Sequence, residues 1–260
     1  MVDSVFMAEL SWPEFKQKME ENVIVFLPLG ATEQHGPHLP LSVDVVLPTG
    51  VCERVAREVN GIVAPALPYG CRSQPKTGGG EGFPGTTSLD AHTFSLVVRD
   101  VVRQLVQSGV RRLVLVNGHF ENYAPATEGV DLALRELRRD DITDVKIVRL
   151  AYWDFITQET LDRVFPNGCP GIELEHASLM ETSLMLLLKP ALVMMEKIPS
   201  DGPACFPPYD LSPVPENFVP ASGVLAVAHG ASVENGRLLF EEHVERIVAA
   251  LREVFQLGPK

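Results

Sequence analysis

The 260-residue sequence is sparing with cysteine, with basic residues and with long apolar runs. Its four cysteines, Cys52, Cys71, Cys169 and Cys205, contain no Cys-x-x-Cys pair. That excludes a zinc ribbon, and four is too few for a disulfide scaffold; scattered reduced thiols are the expectation. No apolar stretch approaches the roughly 20 residues needed to cross a bilayer. The opening MVDSVFMAELSWPEF lacks a basic segment ahead of an apolar one, so no secretory signal is read there. The protein is expected to be soluble and cytoplasmic. Lys and Arg number 22 against 34 Asp and Glu, a formal net charge of −12, the wrong sign for nucleic acid or an anionic membrane. There is no internal repeat. The three glycines at 78–80 are followed by no Lys-Ser/Thr pair, which excludes a P-loop, and no Gly-x-Ser-x-Gly elbow occurs.

What is present is a globular composition, 45% hydrophobic and 22% charged, over a length that suits one domain, 1–260. Residues 11–20 read as a helix capped by Ser11. VIVFLPL at 23–29 reads as a strand buried on both faces. Helix 45–59, strand 61–67, a long Gly/Pro-rich loop 68–90, helix 91–108 and strand 112–116 follow. Helix 124–139, strand 145–151, helix 175–188, an irregular Pro-rich stretch 199–222 and helix 231–256 complete the chain. The strand–loop–helix alternation predicts an α/β fold, a mostly parallel sheet covered on both faces. Ligand sites in such sheets collect at the carboxyl ends of strands.

Two polar clusters follow predicted strands directly. The first is Glu33-Gln34-His35-Gly36-Pro37-His38 with Asp44; the second is Asn117-Gly118-His119-Phe120-Glu121-Asn122. Glu33 and His35 stand two apart, as do His119 and Glu121, so each pair points one way on extended backbone. An Asn-Gly turn accounts for Asn117 and Gly118 but not for the His and Glu after them. Glu33, His35, Asp44, His119 and Glu121 supply three carboxylates and two imidazoles. That is too many for one structural zinc and suits two divalent cations, zinc or manganese, sharing a carboxylate. A third cluster, Glu173, Glu175 and His176 with Glu181 beyond, offers acid–base groups on a predicted helix. Trp153 follows a predicted strand and is a candidate pocket wall.

PLGATEQHGPHLPLSVD, SQPKTGGGEGFPGTTSLD, VNGHFEN, AYWDF, LEHASLMETSLML and CFPPYD resemble, in that order, the motifs of the creatininase (creatinine amidohydrolase) family over nearly the whole chain. The resemblance implies a three-layer α/β/α sandwich, a hexamer and a binuclear site. It assigns Glu33, Asp44 and His119 to one metal, and His35, Asp44 and Glu121 to the other. It places Glu175 and His176 in proton transfer, and Thr77, Gly118, Phe120, Trp153, Ile172 and Glu173 around the substrate. The implied reaction is hydrolysis of the creatinine lactam to creatine. Creatinine-cleaving members carry a Trp–Asp pair where Ile172 and Glu173 stand, Tyr where Phe120 stands and Ser where Thr77 stands. A metal-bearing hydrolase of another cyclic amide, a formamide or a peptide is the alternative within the family. A catalytically inert metal-binding oligomer is the alternative outside it. In the hydrolase reading, backbone N–H groups of 77–80 stabilise the oxyanion and His176, assisted by Glu175, protonates the leaving nitrogen.

Overall fold

The computed structural model describes residues 4–201 and 203–258; residues 1–3 of the opening segment and the last two of the chain lie outside them. Four strands, β1 (Ile24–Leu29), β2 (Gly61–Val63), β3 (Arg112–Asn117) and β4 (Lys146–Ala151), form a parallel sheet in the order β2-β1-β3-β4. Because side chains alternate along a strand, β1 serves two cores. Ile24 and Phe26 pack with Val114 and Val116 toward α2 (Val43–Val59), α6 (Leu179–Leu188) and α7 (Val233–Phe255). Val25, Leu27 and Leu29 pack with Leu113 and Leu115 toward α3 (Ala91–Gln107) and α4 (Tyr123–Arg139). The result is the three-layer α/β/α sandwich. Two short helices, α1 (Trp12–Glu20) and α5 (Gln158–Val164), complete the secondary structure; α1 opens with the expected Ser11–Glu14 capping box.

Three elements depart from the sequence reading, each for a local reason. The strand expected over 61–67 ends at Val63, because Pro65 has no N–H for a ladder; Leu67 rejoins β1 only through an isolated bridge to Leu29. Helix α2 starts two residues early, at Val43, which puts Asp44 in its first turn. Helix α6 starts at Leu179 rather than 175. Ala177 adopts a left-handed φ of 55° and stops helical backbone from running through Glu175 and His176. Helix α5 escaped the sequence reading.

The strand order reverses around β1, since the chain moves to β2 on one side and then returns to β3 on the other. The carboxyl ends of β1 and β3 are therefore the topological switch point, where open α/β sheets take ligands.

Candidate active site

Three adjacent strands deliver the site. The chain leaves β1 into Gly30–Ser42, leaves β3 into Gly118–His119, and leaves β4 into the 3-10 turn Tyr152–Asp154. Helix α2 brings Asp44 across the first two. Close approach is possible because residue 118 is glycine: a Cβ there would stand 2.5 Å from the Asp44 carbonyl oxygen and 2.4 Å from Pro48 Cγ. The Gly118 N–H donates to the Leu29 carbonyl (2.8 Å), locking the β1 and β3 exits together.

Two nests of ligand atoms result, each converging within 4.8 Å: Glu33, Asp44 and His119, and His35, Asp44 and Glu181. A third set, Glu33, His35 and His176, meets the same measure. Asp44 joins the first two. Its Oδ2 lies 3.1 Å from His119 Nδ1 and its Oδ1 lies 3.1 Å from His35 Nε2. Glu33 Oε2 is 3.1 Å from His119 Nδ1, and Glu181 Oε2 is 3.6 Å from His35 Nε2.

The far nitrogen of each ring is tied to backbone. His119 Nε2 faces the Cys71 carbonyl at 2.9 Å, and His35 Nδ1 faces the Glu33 carbonyl at 3.1 Å. A carbonyl only accepts, so in the neutral ring the proton sits on that side. The opposite nitrogen then aims a lone pair at carboxylate oxygens, an arrangement that only a cation or a proton relieves. Glu33 Oε1, His35 Nε2 and Asp44 Oδ2 are buried with no hydrogen-bond partner among the described residues. Without a metal, protons take up the role. Burial by itself would depress both histidines, but Asp44 and Glu181 around His35, and Glu33 and Asp44 around His119, raise them well above the usual range. Burial lifts Glu33 to about 7 against the pull of His119. Burial would lift Asp44 too, but the two imidazoles hold it low. The donor set, mixed carboxylate and imidazole around a shared aspartate, fits a pair of borderline or hard dications.

Glu121 lies outside these nests. Its Oε1 accepts from the Gln74 N–H (2.8 Å) and from the Thr77 hydroxyl, while its Oε2 sits 3.2 Å from His119 Nε2, behind the ring. On the His35 side the carboxylate that converges with Asp44 is that of Glu181. Glu181 rides in the first turn of α6, where its Oε2 also accepts the Ala177 N–H (2.6 Å).

Beside the nests lies a cavity of about 50 Å³. Every other residue expected at the substrate lines it: Thr77, Gly118, Phe120, Trp153, Ile172 and Glu173, with Glu175 and His176. The Phe120 and Trp153 rings stack at 6.5 Å. Glu175 is buried and accepts from the Ser178 hydroxyl (2.6 Å) and the Met180 N–H (2.8 Å); burial outweighs these bonds and lifts it to about 8. His176 is held neutral by burial and by the neighbouring His35 ring, whose centroid is 4.3 Å away. The Gln34 amide fixes it: Oε1 accepts the Gly36 N–H, and Nε2 stands 2.9 Å from His176 Nε2. An amide nitrogen only donates, so the neutral His176 ring carries its proton on Nδ1.

The glycine-rich loop behaves otherwise than expected. The N–H groups of Thr77 and Gly78 bond the Gln74 carbonyl and that of Gly80 bonds Ser73 Oγ, so these donors close the loop on itself. Gly78 instead makes room, since a Cβ there would meet Glu33 Oε1 at 2.2 Å. Tyr152, like Met180 and Leu184, lines the cavity without being expected there. It is buried, and its phenol is raised well above its usual range by burial and by Glu181, Asp44 and Glu175. The signal was available, since it precedes Trp153 at the end of a predicted strand.

A doubly covered parallel sheet with two carboxylate–imidazole nests sharing one aspartate at its switch point defines a class, the α/β proteins with a binuclear metal centre. The creatininase (creatinine amidohydrolase) family profile matches residues 8–251, and the chain belongs to that family. It is 48% identical to the creatinine amidohydrolase of Pseudomonas putida over 98% of this chain and 99% of that one. It is 32% identical to a mycofactocin precursor peptide peptidase of Mycobacterium tuberculosis, over 86% of this chain and 82% of that one. Solved creatininase structures superpose with a TM-score of 0.95, over 97% of this chain and 99% of theirs. They include a manganese form (48% identical), a zinc–zinc form of a mutant (47%) and a mutant complexed with creatine (48%).

Proposed function

We propose that this protein hydrolyses the lactam of creatinine to creatine with two divalent cations, zinc or manganese. The observation that carries the reading is Asp44 bridging two ligand nests, combined with near full-length similarity to a creatinine amidohydrolase. Glu33, Asp44 and His119 would hold one cation and His35, Asp44 and Glu181 the other; bound there, the cations supply Lewis acidity and ionise a water near neutral pH. Glu121 steadies His119 from behind, the carboxylate–histidine pairing that fixes ring orientation in metal sites. Glu175, protonated through neutrality, holds the proton that the leaving nitrogen needs, a role its raised value suits better than the depressed His176. His176 positions the substrate against the His35 side of the cavity. Phe120 and Trp153 sandwich a flat ring, and Glu173 faces its polar edge.

Among the described residues no helix is long and apolar enough to span a membrane, and the four cysteines are free; the thiols support a cytoplasmic location. The exposed Leu192, Met194 and Met195 support assembly into a homo-oligomer. The deciding experiment is creatinine hydrolysis by purified protein loaded with zinc or manganese, beside a chelated control. Cation-dependent turnover is the expected result. Two tightly held cations without turnover would redirect the search to other lactams, formamides and short peptides.

A further inference from the structure

The residues lining the 50 Å³ cavity are rich in carboxylate acceptors, and besides Tyr152 the Trp153 indole and the His176 ring bring N–H donors. Glu33, Asp44, Glu173 and Glu181 only accept when ionised, the Glu175 proton is the one the leaving nitrogen takes, and the Thr77 hydroxyl is given to Glu121. The backbone donors of the glycine-rich loop named above are closed on Gln74 and Ser73. Tyr152 differs. Its ring is fixed by edge contacts with Trp153 on one side (centroids 5.2 Å, 75°) and with the fully buried His243 on the other (5.4 Å, 74°). Tyr152 lines the cavity, and its hydroxyl makes no hydrogen bond among the described residues and is not one of their fully buried unpartnered atoms. Packing alone would be served equally by phenylalanine. A phenol O–H left free on a cavity wall is a donor that a bound molecule can engage.

We infer that Tyr152 is a further catalytic residue, whose O–H donates a hydrogen bond to the substrate carbonyl oxygen as that carbon becomes tetrahedral. The inference rests on the amidohydrolase reading. As the water oxygen bonds to the carbonyl carbon, the C=O π pair moves onto oxygen, where the Tyr152 O–H meets it. The C=O bond re-forms as the C–N bond breaks with its electron pair leaving on nitrogen, and the nitrogen takes the proton held at Glu175; of the water's two protons, one went to solvent when the water ionised and the other, carried onto the product carboxyl, returns to Glu175. Tyr152 keeps its own proton throughout. A rigid donor aimed where charge develops needs no reorganisation during the reaction, which is what makes such groups effective.

The test compares the zinc-loaded parent with Tyr152→Phe, which keeps both ring contacts and removes only the donor. Expected are a kcat lower by about 100- to 1,000-fold, a KM changed by no more than about 3-fold, and unaltered zinc content and melting temperature. A kcat within about 3-fold of the parent overturns the inference. Calorimetric titration with methylphosphonate, a tetrahedral oxyanion, gives a readout independent of turnover. Affinity should fall about 10-fold or more in Tyr152→Phe; equal affinity, or no binding to the parent, overturns the inference. Parent protein carrying 3-fluorotyrosine at position 152 keeps the donor and needs no Phe variant. Its ¹⁹F resonance should shift on adding methylphosphonate, and an unmoved resonance overturns the inference. A parent that binds methylphosphonate but hydrolyses no amide would instead defeat the amidohydrolase reading, leaving the titration to decide on Tyr152.

Discussion

The cation nests and the aromatic wall face each other across one small cavity and are built on opposite terms. In the nests every ligand side chain is buried or nearly so, and both imidazoles are pinned by a backbone carbonyl. The wall of Phe120, Trp153 and Ile172 is held by packing; Phe120 is 47% exposed and stacks on Trp153. A change in the nests leaves a buried charge or lone pair unmatched, so it carries a large penalty. A change in the wall alters shape and little else. On the proposed function, the nests would fix the reaction class and the wall the substrate.

Breaking the shared ligand should have the largest effect. Asp44→Asn is expected to lose both cations and to lower kcat by about 1,000-fold or more, read by metal analysis and steady-state rates. If the variant kept two cations and full turnover, the two nests would not be one centre. The outer carboxylate comes next. Glu121→Gln should weaken binding of the cation facing His119 by about 10- to 100-fold, measured by competition with a calibrated chelator. Glu181→Gln should instead empty the His35 side, so the two variants would differ in which cation survives.

Changes to the wall should act on substrate choice alone. Ile172→Trp restores the aromatic found in creatinine-cleaving members and should raise kcat/KM for creatinine by about 10-fold with cation content unchanged. A change in cation content would show that wall and nests are not separable.

The smallest effect concerns Glu175 in the cation-free protein. Its carboxyl is raised from 4.5 to about 8, so the folded state binds a proton that the unfolded chain releases. That contribution is complete below about 4.5 and is lost as pH rises to about 8. Denaturant titrations should show stability falling across this window, and Glu175→Gln should flatten the fall.

Much of this was legible in the chain itself. The continuous apolar run at 23–29, the alternation of strands with helices, and two ligand-rich segments placed directly after strands depend on local pattern, and local pattern survives folding. Glu33, His35, Asp44 and His119 could be picked out as candidates because Glu33, His35 and His119 each follow a strand end closely and Asp44 opens the next helix. Where reading failed, the deciding contact was remote in sequence or a backbone torsion intervened. Glu181 reaches His35 from a helix some 146 positions away in the chain, and only the packing of α6 against α2 brings it there. The contacts of Glu121 with Gln74 and Thr77, 44 and more positions away, were likewise not legible in its spacing from His119. Pro65 shortens β2, and the left-handed Ala177 frees Glu175 and His176 from α6.

The sequence by itself determined the fold class, the strand-end location of the site and the chemical type of its ligands, because hydrophobic period and residue chemistry are properties of short segments. Only the tertiary structure decided which carboxylate completes which nest, which imidazole nitrogen faces inward, and that Tyr152 presents an unpaired hydroxyl to the cavity. Those outcomes depend on distances between segments that the chain brings together only when its two cores close on the sheet.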